Sequence, residues 1–185
     1  MSRLFSPLTL RGTTMRNRVW VSPMCQYSSR DGHPTDWHLV HVGAFARGGA
    51  GLVMSEATAV VPEGRISPLD AGIWNDEQAA DYRRITDFLH DQGAVAGIQL
   101  AHAGRKASTH RPWDGRGYVP PGEGGWQTVG ASALGYADWP APRELTTEEL
   151  VAHPGAWADA ARRSLAAGFD VVEIHAAHGY LLHQF

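Results

Sequence analysis

Short apolar runs alternate with longer stretches of helical spacing along most of the chain. The apolar runs, rich in β-branched residues, predict four strands at residues 18–22, 51–56, 94–100 and 169–174. Helical patterns lie between them. Strands that alternate with helices favour a parallel sheet, which is either doubly wound or closed into a barrel.

Two of the intervening helices carry clear start signals. Asp36 is the predicted cap of a helix over residues 37–47, and Asn75 is the predicted cap of a helix over residues 76–92. The first of these helices contains His38. We expect that side chain to be hydrogen-bonded within the protein rather than to serve as a ligand.

Two regions depart from simple alternation. Residues 4–10 and 18–24 flank Gly12-Thr13-Thr14, which predicts an N-terminal hairpin leading into a buried first strand. The third helical pattern covers residues 147–168 but contains Pro154, whose ring disfavours a helix interior. We therefore expect two helical segments there rather than one.

A long segment between Lys106 and Glu144 is rich in Gly, Pro and Trp and shows no periodicity. Such a segment inside a compact domain is usually a functional lid, or else its elements have been missed. Its residues Trp113, Trp126 and Trp139 are expected to anchor the segment, with a substrate wall as the alternative.

Polar or reactive residues lie at or near the end of each predicted strand: Cys25, Glu56, Gln99 and His175. A ring of such residues at the carboxyl ends of strands is typical of a (β/α)8 barrel. The first strand runs into SPMC, and the Gly-rich turn of a doubly wound nucleotide binder is absent. Glu173 has the same strand parity as His175, which predicts that its side chain points into the barrel interior.

The last strand delivers His175, His178 and Tyr180 into one loop. Two imidazole N–H groups can hold an oxygen that gains negative charge, while a phenol supplies a proton to a neighbouring atom. The H-x-x-H spacing also occurs in zinc sites, but no third ligand lies nearby in the sequence, so we expect no metal. A structural role for the histidines is the other alternative.

Composition narrows the function classes. The chain has 185 residues, of which 43% are hydrophobic, and a formal net charge of −3. It offers no broad basic field, so we expect neither nucleic acid nor a membrane surface as a partner. Cys25 is the only cysteine and the N-terminus lacks the apolar run of a signal peptide, which predicts a cytoplasmic protein.

Several blocks in order carry a resemblance to a known family: SPMCQY, WHLVH, SEATAV, PEGRI, GIWND, GIQLAHAGRK and VEIHAAHGY. The chain resembles the first half of an old yellow enzyme family flavin reductase, in the bacterial branch that contains xenobiotic reductases. The resemblance implies a (β/α)8 TIM barrel that binds FMN at the carboxyl end of its strands. It also implies an ene-reductase, which uses NADPH or NADH to reduce the activated C=C bond of enones and related electrophilic alkenes.

The same resemblance assigns roles to individual residues near the flavin. Cys25 is implied to adjust the redox potential of the flavin and to touch the substrate, and Gln99 to bind the pyrimidine edge of the ring. The complete set of implied flavin contacts is Ser22, Pro23, Met24, Cys25, Ala57, Gln99 and His175.

Substrate contacts are implied in the same way. His175 and His178 resemble the pair that holds the substrate carbonyl oxygen, and Tyr180 resembles the proton donor to Cα. Tyr27 resembles a second phenol near that carbonyl, and Lys106 a basic residue at the rim. This agrees with the charge-stabilising chemistry expected of the last loop from its residues alone.

A barrel of this kind takes about 250 residues, and only four of its eight strands are complete by residue 174. We therefore expect residues 1–185 to form a single incomplete domain, the N-terminal half of a flavin-binding barrel. The phosphate of FMN is commonly held after the seventh and eighth strands, beyond this segment. The full-length protein is expected to be a homo-oligomer.

Two alternatives remain open. The chain could be a truncated, non-catalytic half-barrel that acts only by pairing with a complementary half or with itself. An enzyme of this family could also act on a different acceptor, such as a nitro compound or a dienoyl thioester. Dienoyl reductases carry an iron–sulfur cluster on cysteines, for which this sequence offers no cluster of ligands.

Overall fold

The structure is a computed structural model that describes residues 2–185. It opens with an antiparallel hairpin of β1 (Leu8–Leu10) and β2 (Thr13–Met15). The turn between them has two residues and places Arg11 at a φ of 51°. The hairpin is therefore tighter than predicted: its ladder joins residues 8–10 to residues 13–15, and the only main-chain hydrogen bond between residues 4–10 and residues 18–24 is that from Arg18 to Leu4.

Three parallel strands come next, β3 (Trp20–Val21), β4 (Leu52–Ala59) and β5 (Val95–Ala101). β4 lies between the other two and is buried at all eight of its residues, as expected of a central parallel strand. β3 is an edge strand and Trp20 is 41% exposed, so the prediction of a buried first strand is wrong. An edge strand has a neighbour on one side only, which leaves its side chains less covered.

Helices α1 (Asp36–Arg47) and α2 (Asp76–Asp91) connect these strands. The predicted cap of α2 is confirmed, since Oδ1 of Asn75 accepts the main-chain N–H of Gln78 at 2.8 Å. The cap of α1 is Thr35, not Asp36, which is already the first helical residue. The two helices pack against the sheet through one apolar core that includes Val42, Ala46, Val53, Tyr82, Ile85, Leu89 and Ile98.

The long segment contains two short strands, β6 (Val129–Gly130) and β7 (Arg143–Glu144), which pair in parallel. An isolated bridge between Thr109 and Tyr118 closes a loop ahead of them. These pieces are too short to leave a periodic pattern in the sequence. The segment is thus ordered by local pairing and by contacts with the rest of the chain.

Trp113 and Trp126 contact other parts of the chain, as predicted, whereas Trp139 contacts a residue of the segment itself. The indole N–H of Trp126 donates to a main-chain carbonyl in the loop after β4, and the guanidinium of Arg65 lies 5.0 Å from its ring centre. Trp113 packs edge-on against Tyr27 at 5.5 Å, and Trp139 packs in the same way against a tyrosine three residues before it. The segment is anchored beside the carboxyl ends of the strands.

The last elements are α3 (Thr147–Ala166) and β8 (Val171–Ile174). Contrary to the prediction, Pro154 does not divide α3. Proline removes one main-chain donor, whereas the helix start is reinforced by a capping box between Thr146 and Glu149. β8 joins the far side of β5, so the sheet has the order β3-β4-β5-β8 with all strands parallel. No helix within residues 2–185 has both the length and the apolar content needed to cross a bilayer.

Candidate functional site

A cavity of about 540 Å³ opens where the four parallel strands end, a volume suited to a small molecule. Met24, Tyr27 and Lys106 are not in its lining. The other eight residues named as flavin or substrate contacts from the sequence all line it: Ser22, Pro23, Cys25, Ala57, Gln99, His175, His178 and Tyr180.

A bulge in β4 decides which of its residues reach the cavity. Ser55 pairs with Ile98 and Ala57 pairs with Gln99, so Glu56 is an extra residue in the strand. Bulges re-aim side chains next to functional sites. Ala57 therefore lines the cavity, whereas Glu56, a candidate from its place at a strand end, is buried outside that lining.

The floor of the cavity is formed where β5 and β8 lie side by side. Gln99 and Glu173 are register partners, and Nε2 of Gln99 donates to Oε1 of Glu173 at 2.5 Å. Glu173 lines the cavity, which confirms the orientation predicted from its parity. Its partner could not be named from the sequence, because register between strands 74 residues apart leaves no local signal. The side-chain carbonyl oxygen of Gln99 can then accept a hydrogen bond from a ligand.

His175, His178 and Tyr180 converge at the end of β8, as predicted. The main-chain N–H of His175 donates to the carbonyl of Leu100 at 2.9 Å, which ties the start of the loop to β5. The ring centres of His175 and Tyr180 are 4.9 Å apart, and those of the two imidazoles are 5.2 Å apart. His178 adopts a φ of 57°, an uncommon conformation for a residue with a side chain and one that often marks functional sites.

The two imidazoles are arranged so that both can serve one oxygen atom. Nε2 of His175 and Nδ1 of His178 lie 3.4 Å apart. Nδ1 of His175 accepts the main-chain N–H of Ala177 at 3.4 Å, which places the proton of a neutral ring on Nε2. Burial and the neighbouring His178 lower the pKa of His175. His175 therefore presents a neutral N–H donor rather than an imidazolium.

Lys106 holds this loop from the side. Its Nζ donates to the main-chain carbonyl of His178 at 2.9 Å and lies 5.2 Å from the ring centre of Tyr180. The same ammonium lies 4.6 Å from the ring centre of Tyr136, which belongs to the long segment and was not anticipated from the sequence. Burial raises the pKa of Tyr180 well above its usual range, so the phenol keeps its proton at neutral pH.

Cys25 and Tyr27 lie near two buried carboxyl groups. Burial, followed by the charges of Asp70 and Glu56, raises the pKa of the Cys25 thiol well above its usual range. Burial raises the pKa of Tyr27 to about 12. The thiol and the phenol are consequently neutral groups near pH 7.

Asp70 was also missed from the sequence. It is 1% exposed, and its carboxylate accepts from the hydroxyl of Ser67 at 2.7 Å and from the main-chain N–H of Ile66 at 2.9 Å. Burial raises its pKa from 3.8 to about 7, which these hydrogen bonds only partly oppose. A single Asp in a loop gives no sequence signal of such burial.

The raised pKa of Asp70 predicts a stability that depends on pH. Between about pH 4 and pH 7 the folded state binds more protons than the unfolded state, so the free energy of unfolding falls as pH rises through that window. One proton contributes at most about 1.4 kcal/mol per pH unit. Asp70→Asn is expected to flatten this dependence in urea denaturation of the purified chain at several pH values. Asp87→Asn, at an exposed position of α2, is the control, and identical pH curves for all three proteins would refute the assignment.

Parallel strands that alternate with helices, with the site at their carboxyl ends, define the α/β class that includes (β/α) barrels and doubly wound folds. Comparison with known proteins gives the family. The model of the NADH:flavin oxidoreductase / NADH oxidase family matches residues 3–185, and the chain belongs to that family. Its members are oxidoreductases that use FMN, with NAD(P)H as the electron donor.

Individual relatives support the same conclusion. An NADPH dehydrogenase of Listeria welshimeri is 50% identical over 188 residues, which is 100% of this chain and 51% of that protein. An NADH:flavin oxidoreductase of Gibberella zeae is 49% identical over 189 residues, covering 100% of this chain and 46% of that protein. The solved old yellow enzyme homologue from Zymomonas mobilis superimposes with a TM-score of 0.81 at 34% identity, covering 97% of this chain and 50% of that one.

The chain thus spans about half the length of the curated relatives it matches. The solved neighbours are old yellow enzyme TIM barrels, and the chain forms about half of that fold. This confirms the predicted barrel class.

Proposed function

We propose that this chain supplies the substrate-binding half of an FMN-dependent ene-reductase, which takes hydride from NADPH or NADH and reduces the activated C=C bond of an enone or related xenobiotic. One observation carries the proposal: His175, His178 and Tyr180 meet in a cavity of about 540 Å³ that Cys25 also lines. Two imidazole donors and a protonated phenol suit hydride addition to an enone, which places negative charge on an oxygen and needs a proton at Cα.

The residues of the cavity fit the cofactor. The Gln99 amide can both donate and accept, which suits the alternating donors and acceptors of a flavin pyrimidine ring. Ser22, Pro23 and Cys25 form the wall against which the ring would lie, and Ala57 adds little bulk to it. FMN, when bound, supplies the hydride transfer between nicotinamide and substrate.

The chain's own residues would perform the remaining steps. The nitrogens of His175 and His178 that face each other are close enough for one carbonyl oxygen to accept from both, which stabilises the negative charge that develops there. Tyr180, whose phenol stays protonated, would deliver the proton to Cα. Lys106 would keep the loop in place through the carbonyl of His178.

Cofactor binding gives the first test. No Lys or Arg lines the cavity within residues 2–185, so this part of the chain offers no cation to the FMN phosphate there. We expect residues 1–185 alone to bind FMN weakly and to lose it on desalting, and to form a yellow complex reducible by NADPH when a second half-barrel is co-expressed. Fluorescence quenching during FMN titration measures binding by residues 1–185 alone. Visible absorption measures formation of the yellow co-expressed complex.

The outcomes of this test distinguish the alternative functions of the chain. Stoichiometric, submicromolar binding by residues 1–185 would contradict the expectation of an incomplete site. A folded but colourless co-expressed complex would refute the proposed function and favour a non-catalytic half-barrel that only pairs with another chain. Turnover of a cyclic enone but not of a nitro compound, or the reverse, would decide between the two acceptor classes.

A further inference from the structure

A buried carboxylate and a buried imidazole lie outside the cavity lining, between β4 and α1. The side chains of Glu56 and His38 are 1% and 4% exposed. Oε1 of Glu56 lies 2.9 Å from Nε2 of His38, a close electrostatic contact in which the ring N–H is not aligned as a hydrogen bond. Two polar side chains this deeply buried are expected to have a defined purpose, because burying them without partners is costly.

The protonation of His38 follows from its other nitrogen. The main-chain N–H of Thr35, the cap of α1, donates to Nδ1 of His38 at 2.9 Å. Nδ1 therefore carries no proton, and the ring carries one on Nε2, which faces Glu56 and lies 3.3 Å from the hydroxyl of Ser29. The cap of α1 thus fixes the histidine so that it presents a positive edge to the carboxylate.

The second oxygen of Glu56 reaches the segment that carries the cysteine. Oε2 accepts the main-chain N–H of Gln26 at 2.8 Å, and Gln26 directly follows Cys25. The side chain of Gln26 donates to the carbonyl of Met24 at 2.8 Å and accepts from the indole N–H of Trp37 at 3.0 Å. Hydrogen bonds therefore hold Met24 and Gln26, the residues on both sides of Cys25. Among these hydrogen bonds, only the one to Glu56 is accepted by a buried carboxylate.

The bulge in β4 makes this arrangement possible. As the extra residue, Glu56 leaves the alternation of the strand, while Ala57 keeps register with Gln99 beside the cavity. The end of β4 thereby contributes Ala57 to the cavity lining and Glu56 to the contacts behind that lining.

We propose that Glu56 and His38 are positioning residues that hold Cys25 in the cavity wall, by fixing the main chain at Gln26 from behind. Any effect of the position of Cys25 on a cofactor rests on the proposed function. The position of Cys25 itself does not depend on that function. Hydrogen bonds to a buried charge are among the stronger ones in proteins, so loss of this one should release the segment.

The thiol reports on this placement because Cys25 is the only cysteine of the chain, and a pH–rate profile separates the placement from the effect of the Glu56 charge on the thiol pKa. We expect Glu56→Gln and His38→Gln each to increase the rate of thiol modification by a small aromatic disulfide at pH 8 by about 10–100-fold, the factor that corresponds to loss of one charged hydrogen bond. The double variant should react no faster than the faster single variant, since the two residues act as one unit. His41→Gln, on the same helix, is the matched control and should leave the rate unchanged.

A second measurement needs no variant. In the unmodified chain the amide proton of Gln26 should exchange slowly with solvent, because it is donated to a buried carboxylate. Fast exchange at Gln26 would overturn the proposal, as would unchanged thiol rates in folded Glu56→Gln and His38→Gln, or equal acceleration in His41→Gln.

In an FMN-loaded protein the positioning variants should also shift the cofactor midpoint potential. A folded complex of both halves that fails to bind FMN refutes the proposed function but leaves the thiol and exchange results as they are.

Discussion

Replacing Tyr180 with phenylalanine is expected to slow reduction of an enone by about 10²–10⁴-fold, the usual contribution of a positioned general acid. The phenol is the proposed proton donor at the end of β8: burial keeps it protonated, and its ring packs 4.9 Å from that of His175. Phenylalanine keeps this packing and removes only the acidic proton. The reaction with NADPH needs no such proton and should proceed at the unmodified rate.

Stopped-flow measurement of the two half-reactions, in a protein that carries both halves of the barrel, separates these effects. Tyr82→Phe is a matched control, because Tyr82 is a fully buried tyrosine of α2 outside the cavity lining. Equal slowing of both half-reactions in Tyr180→Phe would assign this residue a structural role instead.

Removal of either imidazole, in His175→Ala or His178→Ala, is expected to lower turnover of an enone by about 10²–10³-fold, the usual cost of one lost oxyanion donor. Their facing nitrogens are 3.4 Å apart, close enough for one oxygen to accept from both rings, and burial lowers the pKa of His175. Binding of phenolic ligands, which place an oxygen at the same point, should weaken as well.

Spectral titration with a substituted phenol and steady-state turnover test this prediction together. His33→Ala provides the control, because His33 pairs with Asp81 outside the cavity lining. If both cavity variants keep the original affinity and turnover, the assignment of a paired donor site is wrong.

The barrel class and most cavity residues could be predicted from sequence because their signals are local. Apolar runs mark parallel strands, and residues at the carboxyl end of such a strand lie at the edge of the sheet where sites form. Cys25, Gln99 and His175 were located in this way, and all three line the cavity. The sequence signal that predicted Asn75 as the cap of α2 was equally local.

Features that depend on register or on distant packing could not be predicted. The extra residue in β4 turns Glu56 away from the cavity, and only the pairing with β5 reveals it. The contact of Lys106 with Tyr136 crosses a segment without periodicity. Pro154 was misleading for a related reason: local propensity favours a break, but the reinforced start of α3 outweighs it.

The bulge in β4 also bears on how this chain can change during evolution. Substitution at Glu56 changes the contacts of one side chain, whereas a one-residue deletion there would remove the bulge and, with it, the carboxylate that binds the main chain at Gln26. Among natural and engineered variants, length changes in this strand should therefore be rarer than substitutions, and loops away from the cavity should accept insertions more readily.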